Sequence, residues 1–131
     1  MFDVIEHLAD PVKTFKDLHK LLKHNGILFI YTPNSKSISF DQMKDKQNLV
    51  IPPWHLHYFN PNSMKQLSKN KFKTIYSSTD GLDIGDMYAY ERDHGDKKFS
   101  NFLKKNYQVL QTFFDHTNYS NHLRIIFKKI N

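Results

Sequence analysis

Residues 1–34, MFDVIEHLADPVKTFKDLHKLLKHNGILFIYTPN, contain the signals that decide the fold. Their first apolar run, residues 2–5, predicts a short buried strand. Asp10-Pro11 then supplies an N-cap and a first-turn proline for a helix, which Asn25-Gly26 ends. The unbroken apolar run 27–32 predicts a second strand that is covered on both faces. Strand, helix and strand together predict a βαβ unit.

The remainder of the chain continues this alternation of helix and strand. Residues 35–53 are polar and rich in turn residues, and they predict a loop or a short excursion. Asn60-Pro61 repeats the cap-then-proline signal and starts a second helix, with Met64, Leu67 and Phe72 facing inward. We then expect a strand at 74–79, an irregular region around Gly81, Gly85 and Gly95, an amphipathic helix at 97–114 and a last strand at 123–127. The sequence therefore predicts one α/β domain over 1–131, divided into 1–34, 35–60 and 61–131.

Composition excludes several classes of protein. The formal net charge is +6, but the positive charge is almost all lysine, scattered along the chain, with arginine only at Arg92 and Arg124. Nucleic-acid binding is therefore not expected, because arginine is the usual reader of phosphates and guanine edges. The absence of cysteine excludes disulfide scaffolds and thiolate zinc sites. No run is apolar enough to span a bilayer and Met1 does not open a signal peptide, so we expect a cytoplasmic protein without a membrane partner.

Glycine placement excludes the common phosphate-binding turns. The four glycines, at positions 26, 81, 85 and 95, form neither G-x-G-x-x-G nor a P-loop. Ligand sites in α/β sheets lie at the carboxyl ends of the strands. Candidate site residues are therefore sought after residues 2–5 and after residues 27–32.

Three segments resemble the second half of the class I S-adenosylmethionine-dependent methyltransferases. The stretch FDVIEHLADP at 2–11 is similar to the fourth strand of that family, and LLKHNGILFIYTPN at 21–34 is similar to its next helix and fifth strand. PPWHLHYF at 52–59, followed by PNSMKQL at 61–67, resembles the segment after that strand. The resemblance implies the C-terminal portion of a Rossmann-like methyltransferase sheet with flanking helices.

This resemblance also implies S-adenosylmethionine as the cofactor and a small-molecule oxygen, nitrogen or carbon as the methyl acceptor. In the family, the glycine-rich loop and the acidic residue that binds the ribose belong to the first half. Neither has a counterpart in these 131 residues. We therefore expect a truncated, inactive portion that binds the cofactor weakly alone, with Glu6, His7 and Leu8 forming the part of the cofactor site that is present.

His7 is the predicted catalytic residue. Histidine is the side chain whose ordinary pKa lies near neutrality, so His7 could act as a general base toward an acceptor hydroxyl. The alternative is a structural role, in which Glu6 and His7 cap the following turn. Resemblance to ubiquinone-type O-methyltransferases adds another alternative, because there an acidic-x-x-Glu-His pattern, matched here by Asp3, Glu6 and His7, is associated with a divalent metal. Of these alternatives we retain the base, and we predict no metal ligand.

His55, His57 and Tyr58 are the predicted acceptor-binding residues. His55 and His57 alternate around Leu56, so in an extended segment both would face one side. Without a third ligand nearby in sequence, a zinc site is not expected. The resemblance implies that this segment lines the acceptor pocket, whereas the alternative is that its rings only pack.

Two function classes remain open from the sequence. The first is a methyltransferase that is active when complete, and the second is a non-catalytic, methyltransferase-like interaction module. The aromatic stripe of residues 99–114 is expected to be mostly core, with part of it facing an interface. An unpaired edge at Phe2, Val4 and Ile5 predicts a homodimer or pairing with the missing N-terminal half.

Overall fold

The computed structural model describes residues 1–130 and contains six α-helices and three strands in that range. The helices are α1 (Pro11–Leu21), α2 (Ile38–Met43), α3 (Pro61–Ser68), α4 (Asp83–His94), α5 (Lys97–Lys105) and α6 (Tyr107–His116). The strands are β1 (Ile27–Pro33), β2 (Phe72–Asp80) and β3 (His122–Lys129). Two short 3₁₀ turns lie at Ile5–His7 and Lys44–Lys46. The α/β class predicted from the sequence is confirmed.

The last strand of the chain occupies the centre of the sheet. The order is β1-β3-β2, and both pairs are antiparallel. Antiparallel neighbours need no crossover between them, so β3 can return from α6 and lie between the two earlier strands. Helix and strand alternate as expected, but the three named strands form an antiparallel sheet rather than a βαβ unit.

The expected strand at residues 2–5 is reduced to a single parallel bridge. The amide of Tyr31 donates to Met1 O and the amide of Asp3 donates to Tyr31 O, both at 2.9 Å. Asp3 then adopts φ 48°, in the left-handed region, which takes the chain out of the extended conformation. Residues 5–7 therefore form a 3₁₀ turn, and Ile5, expected at an exposed edge, is fully buried.

Two helices begin at the residues that the sequence predicts, because Asp10 and Asn60 cap their first turns. The Asp10 carboxylate accepts a hydrogen bond from the Lys13 amide at the start of α1. Asn60 and Ser63 form a capping box at the start of α3. These two helices pack on one face of the sheet, where the main core cluster contains Phe15, Ile30, Met64, Ile125 and Phe127.

Strand β1 is buried on alternate residues, so the prediction that it is covered on both faces was wrong. Leu28, Ile30 and Thr32 face the core, whereas Ile27 is exposed and Phe29 is half-buried. Phe72, expected inside the second helix, instead begins β2 and packs in the same core.

Residues 81–116 contain more helix than expected. The region predicted to be irregular forms α4, whose first residue, Asp83, is fully buried. The Asp83 carboxylate accepts hydrogen bonds from the Ser39 hydroxyl at 2.6 Å and from the backbone amide of Asn121 at 2.8 Å. Asp83 therefore connects α2, α4 and the start of β3. Because these contacts join residues far apart in the chain, the spacing of apolar residues in the sequence does not predict them.

The single helix predicted at 97–114 is two helices with a break at Asn106. The Asn106 amide side chain donates to the Phe102 carbonyl at 2.8 Å, which satisfies a helix end at this point. Within α5 and α6, Leu103 is buried as expected, but Phe99, Phe102 and Phe113 are exposed. No helix within residues 1–130 combines the length and the apolar character that crossing a bilayer requires.

Candidate functional site

Glu6, His7 and His55 are brought together at the end of the 3₁₀ turn. Each offers one ligand-type atom, and these atoms all lie within 4.8 Å of one another. The His7 and His55 ring centroids are 4.7 Å apart in an edge-on contact. Glu6 and His55 are buried and His7 is exposed, so the cluster lies at the protein surface with a buried floor.

Backbone hydrogen bonds hold the two parts of this cluster together. The amides of Leu56 and His57 both donate to the Glu6 carbonyl, at 2.9 and 3.1 Å. The segment after Pro53 is therefore fixed over the turn that carries Glu6 and His7. This places His55, 49 positions after Glu6 in the chain, next to its carboxylate.

Glu6 is a fully buried carboxylate with one satisfied oxygen. Its Oε2 accepts a hydrogen bond of 2.8 Å from the Thr32 hydroxyl on β1. Its Oε1 has no hydrogen-bond partner among the described residues and lies 3.9 Å from His7 Nε2. Because an unpaired buried carboxylate oxygen is costly, this atom is poised to accept a donor or a cation.

Both imidazoles are oriented by backbone carbonyls. His7 Nδ1 donates to the Trp54 carbonyl at 2.6 Å, and His55 Nδ1 donates to the Leu49 carbonyl at 2.7 Å. In a neutral ring this fixes the tautomer and leaves the lone pair on Nε2. Each ring therefore presents one nitrogen that can take a proton or bind a metal ion.

His57 does not belong to the three-residue cluster, although it alternates with His55. Its ring is half-buried and lies 5.8 Å from the Phe59 ring. Tyr58 lies closer to the cluster, with its ring 6.2 Å from the His55 ring. Its hydroxyl is buried and has no partner within residues 1–130.

Leu8 is half-buried and packs against the main core. Asp3 lies outside the three-residue cluster, so the acidic-x-x-Glu-His residues do not form one set of metal ligands here.

The sequence analysis missed two features of the site, the contribution of Thr32 and the pairing of His55 with Glu6. Thr32 had a weak signal, because it stands at the carboxyl end of a predicted strand, where α/β proteins place site residues. The His55–Glu6 pairing had none.

One comparison with known protein families agrees with the resemblance seen in the sequence. The model of a family described as a methyltransferase domain matches residues 1–71, just over half of the 131-residue chain. Among solved structures, the chain is similar to the crystal structure of MccD protein, with 16% sequence identity and a TM-score of 0.49. That similarity covers 96% of this chain and 57% of that chain, so this chain spans less than two thirds of the relative's length.

A search of curated proteins finds no match. The matched residues 1–71 include the whole Glu6–His7–His55 cluster, the adjacent β1 strand and α3. The chain therefore belongs to the methyltransferase-domain family.

Proposed function

We propose that this chain contributes part of a site that transfers a methyl group from S-adenosylmethionine to a small-molecule oxygen, nitrogen or carbon. The observation that carries the proposal is the buried Glu6 carboxylate beside a histidine whose tautomer is fixed. Both residues lie in the segment that matches the methyltransferase domain.

In this proposal His7 is the general base. Its Nδ1–H is held by the Trp54 carbonyl, so Nε2 carries the lone pair that accepts a proton from the acceptor. Glu6 Oε1, 3.9 Å from that nitrogen, supplies negative charge that stabilises the imidazolium once the proton has moved. The exposure of His7 leaves its ring accessible to a substrate.

The cofactor, when bound, supplies an electrophilic methyl group on a sulfonium. Glu6, His7 and Leu8 are the residues that we assign to its side of the site. Glu6 fits this role in one respect, because its unpartnered buried oxygen can accept a hydrogen bond from a hydroxyl or amine donor. A nucleoside cofactor also needs a close backbone turn, so full affinity requires a further segment that carries a glycine-rich loop.

The acceptor is assigned to the segment that carries His55, His57 and Tyr58. The unpaired Tyr58 hydroxyl supports this assignment, because a polar acceptor would satisfy a group that is otherwise buried without a partner. The Tyr58 ring also lies edge-on to Phe40, which gives that side of the segment an apolar wall.

A second role for the same cluster is to hold a divalent cation. Glu6 Oε1 is free to bind it, and the two Nδ1–H bonds leave Nε2 of His7 and His55 as nitrogen donors. One carboxylate and two imidazoles suit a first-row metal ion such as Mn²⁺ or Zn²⁺. His7 cannot bind a cation and accept a proton through Nε2 at the same time, so the two roles exclude each other.

Methyl transfer is tested with the full natural protein, S-adenosylmethionine labelled in the methyl group, and a panel of hydroxyl, amine and carbon acceptors. His7→Ala is expected to lower the transfer rate by about 10²–10⁴-fold, the usual contribution of a general base. His24→Ala, which removes an exposed histidine after α1, is the matched control and should leave the rate unchanged.

Thermal unfolding of both variants separates chemistry from folding. An unchanged rate in His7→Ala, or a loss that merely follows a lower melting temperature, would contradict the role of His7. Failure of the unmodified protein to transfer label to any acceptor would favour a non-catalytic interaction module.

A further inference from the structure

Helices α5 and α6 expose large apolar side chains on neighbouring surfaces. The exposed fractions are 52% for Phe102, 75% for Val109 and 59% for Phe113. Val109 and Phe113 are one helical turn apart, on the side of α6 opposite the buried Gln111. We refer to the surface formed by Phe99, Phe102, Val109, Leu110, Phe113 and Phe114 as the α5–α6 face.

Ring contacts make the α5–α6 face continuous. The Phe99 and Phe102 rings stack with their centroids 6.2 Å apart, and Phe113 lies edge-on to Phe114 at 5.3 Å. Phe99, Phe102 and Phe114 also line one open cavity of about 280 Å³, together with Leu103 and Leu110. A continuous apolar surface of this kind marks an interaction site rather than a set of isolated exposed residues.

Positive charge lies beside this apolar surface. Helix α5 contains four exposed lysines, Lys97, Lys98, Lys104 and Lys105, and no acidic residue. At 100° per residue, Lys98 and Lys105 lie next to Phe102, on the side away from the buried Leu103. In the described part of the chain, no carboxylate lies within 4.0 Å of any of these four ammonium groups.

We propose that the α5–α6 face binds the surface of an anionic bilayer. The phenylalanines and Val109 would enter the boundary between headgroups and acyl chains, while the lysine stems extend so that their ammonium groups meet lipid phosphates. The overall charge of +6 also favours approach to a negative surface. A helix that lies on a membrane needs no apolar span, so the lack of a spanning helix in residues 1–130 does not bear on this surface.

Sedimentation of the full chain with vesicles tests the proposal. The chain is expected to bind vesicles of mixed phosphatidylcholine and phosphatidylglycerol, and to bind pure phosphatidylcholine vesicles much less. Lys98→Glu/Lys105→Glu should weaken the partition by about thirtyfold or more, since each lysine near an anionic surface contributes on the order of 1 kcal/mol. Val109→Ser/Phe113→Ser should weaken it by about tenfold or more.

Matched variants elsewhere on the surface serve as controls. Lys65→Glu/Lys69→Glu makes the same change in net charge at exposed positions near α3, and Leu21→Ser removes an exposed apolar side chain from α1. Both should keep much more of the vesicle binding than the variants of the α5–α6 face, because the side chains they change lie off that face. The proposal is overturned if anionic vesicles bind no protein, or if the control variants lose vesicle binding as much as the variants of the face do. It is also overturned if the chain does not bind vesicles but self-associates, and Val109→Ser/Phe113→Ser abolishes that self-association.

Discussion

The buried Glu6 carboxylate accepts its one hydrogen bond from Thr32, at 2.8 Å, across the junction between the 3₁₀ turn and β1. This bond joins the part of the chain that carries His7 to the strand that leads into the rest of the site. It also directs the second carboxylate oxygen toward the His7 ring. The same contact therefore contributes to folding and to the chemistry that we propose.

Removing the Thr32 hydroxyl should destabilise the protein. Thr32→Val keeps the shape of the side chain but leaves a buried carboxylate without its donor, which should lower the free energy of unfolding by about 1.5–3 kcal/mol. Urea unfolding measures this difference. Thr112→Val, at an exposed position of α6, is the control and should stay within about 0.5 kcal/mol of the unmodified chain. Equal effects of the two substitutions would show that Thr32 contributes little through Glu6.

Phe15 should be one of the most sensitive core positions. Its ring is fully buried and meets Phe72 and Phe127 edge-on, with centroids 5.7 and 5.8 Å away. Phe15→Ala should lower the free energy of unfolding by about 3–5 kcal/mol, because it leaves a cavity between α1 and the sheet. Leu21→Ala, at the exposed end of the same helix, should change it by less than about 0.5 kcal/mol. A small effect at Phe15 would argue against this packing of α1.

Cation binding at the cluster can be followed by NMR. Added Mn²⁺ should broaden the ring resonances of His7 and His55 before that of His57, which lies outside the cluster. Glu6→Gln should weaken this binding by about tenfold or more, and a lower pH should weaken it too, because the imidazoles must be neutral to bind. Uniform broadening of all eight histidines would rule out a specific site.

The pKa of Asp86 should lie above the ordinary aspartate value of 3.8, and the pKa of Asp17 should lie below it. Burial raises the pKa of Asp86, although hydrogen bonds from Asn48 and Asn121 oppose the increase. A hydrogen bond from Lys13 lowers the pKa of Asp17, on the surface of α1. Carbon NMR of the carboxyl groups measures both midpoints.

The two carboxyls also affect stability in opposite directions. The stabilisation of the fold that is linked to Asp86 is fully present below pH 3.8 and is lost as the pH rises through the raised pKa of Asp86. The stabilisation linked to Asp17 is present above 3.8 and is lost as pH falls through its lowered pKa. The reverse order of midpoints would contradict the burial of Asp86 and the Asp17–Lys13 pair.

Two glycines offer a matched pair of substitutions. Gly85 lies inside α4, where an added Cβ would meet the Tyr107 ring at an ordinary distance of 3.5 Å, so Gly85→Ala should stabilise the protein by about 0.5–1 kcal/mol. At Gly81 an added Cβ would overlap the Asn121 side chain, so Gly81→Ala should destabilise it by about 1–3 kcal/mol. Thermal unfolding compares the two, and a stabilising Gly81→Ala would show that Asn121 can move away freely.

Local signals predicted several elements correctly. The cap-then-proline pairs at Asp10-Pro11 and Asn60-Pro61 predicted the starts of α1 and α3, and the apolar run 27–32 predicted β1. The strands β2 and β3 were also predicted, each a few residues short. The helix α4 was missed because its glycine and charged residues conceal the helical pattern. These residues are stabilised by long-range contacts such as those of Asp83 rather than by their own periodicity.

The sequence by itself determined the family, the α/β class and the candidate residues Glu6, His7 and His55, because motif, capping and apolar spacing act over a few residues. Only the tertiary structure decided that His55 rather than His57 meets Glu6 and His7, and that β3 lies between β1 and β2. Those pairings depend on the Leu56 and His57 amides binding the Glu6 carbonyl and on the return of the last strand to the core. Contacts between residues so far apart in the chain are selected by the packing of the whole fold, which no local spacing records.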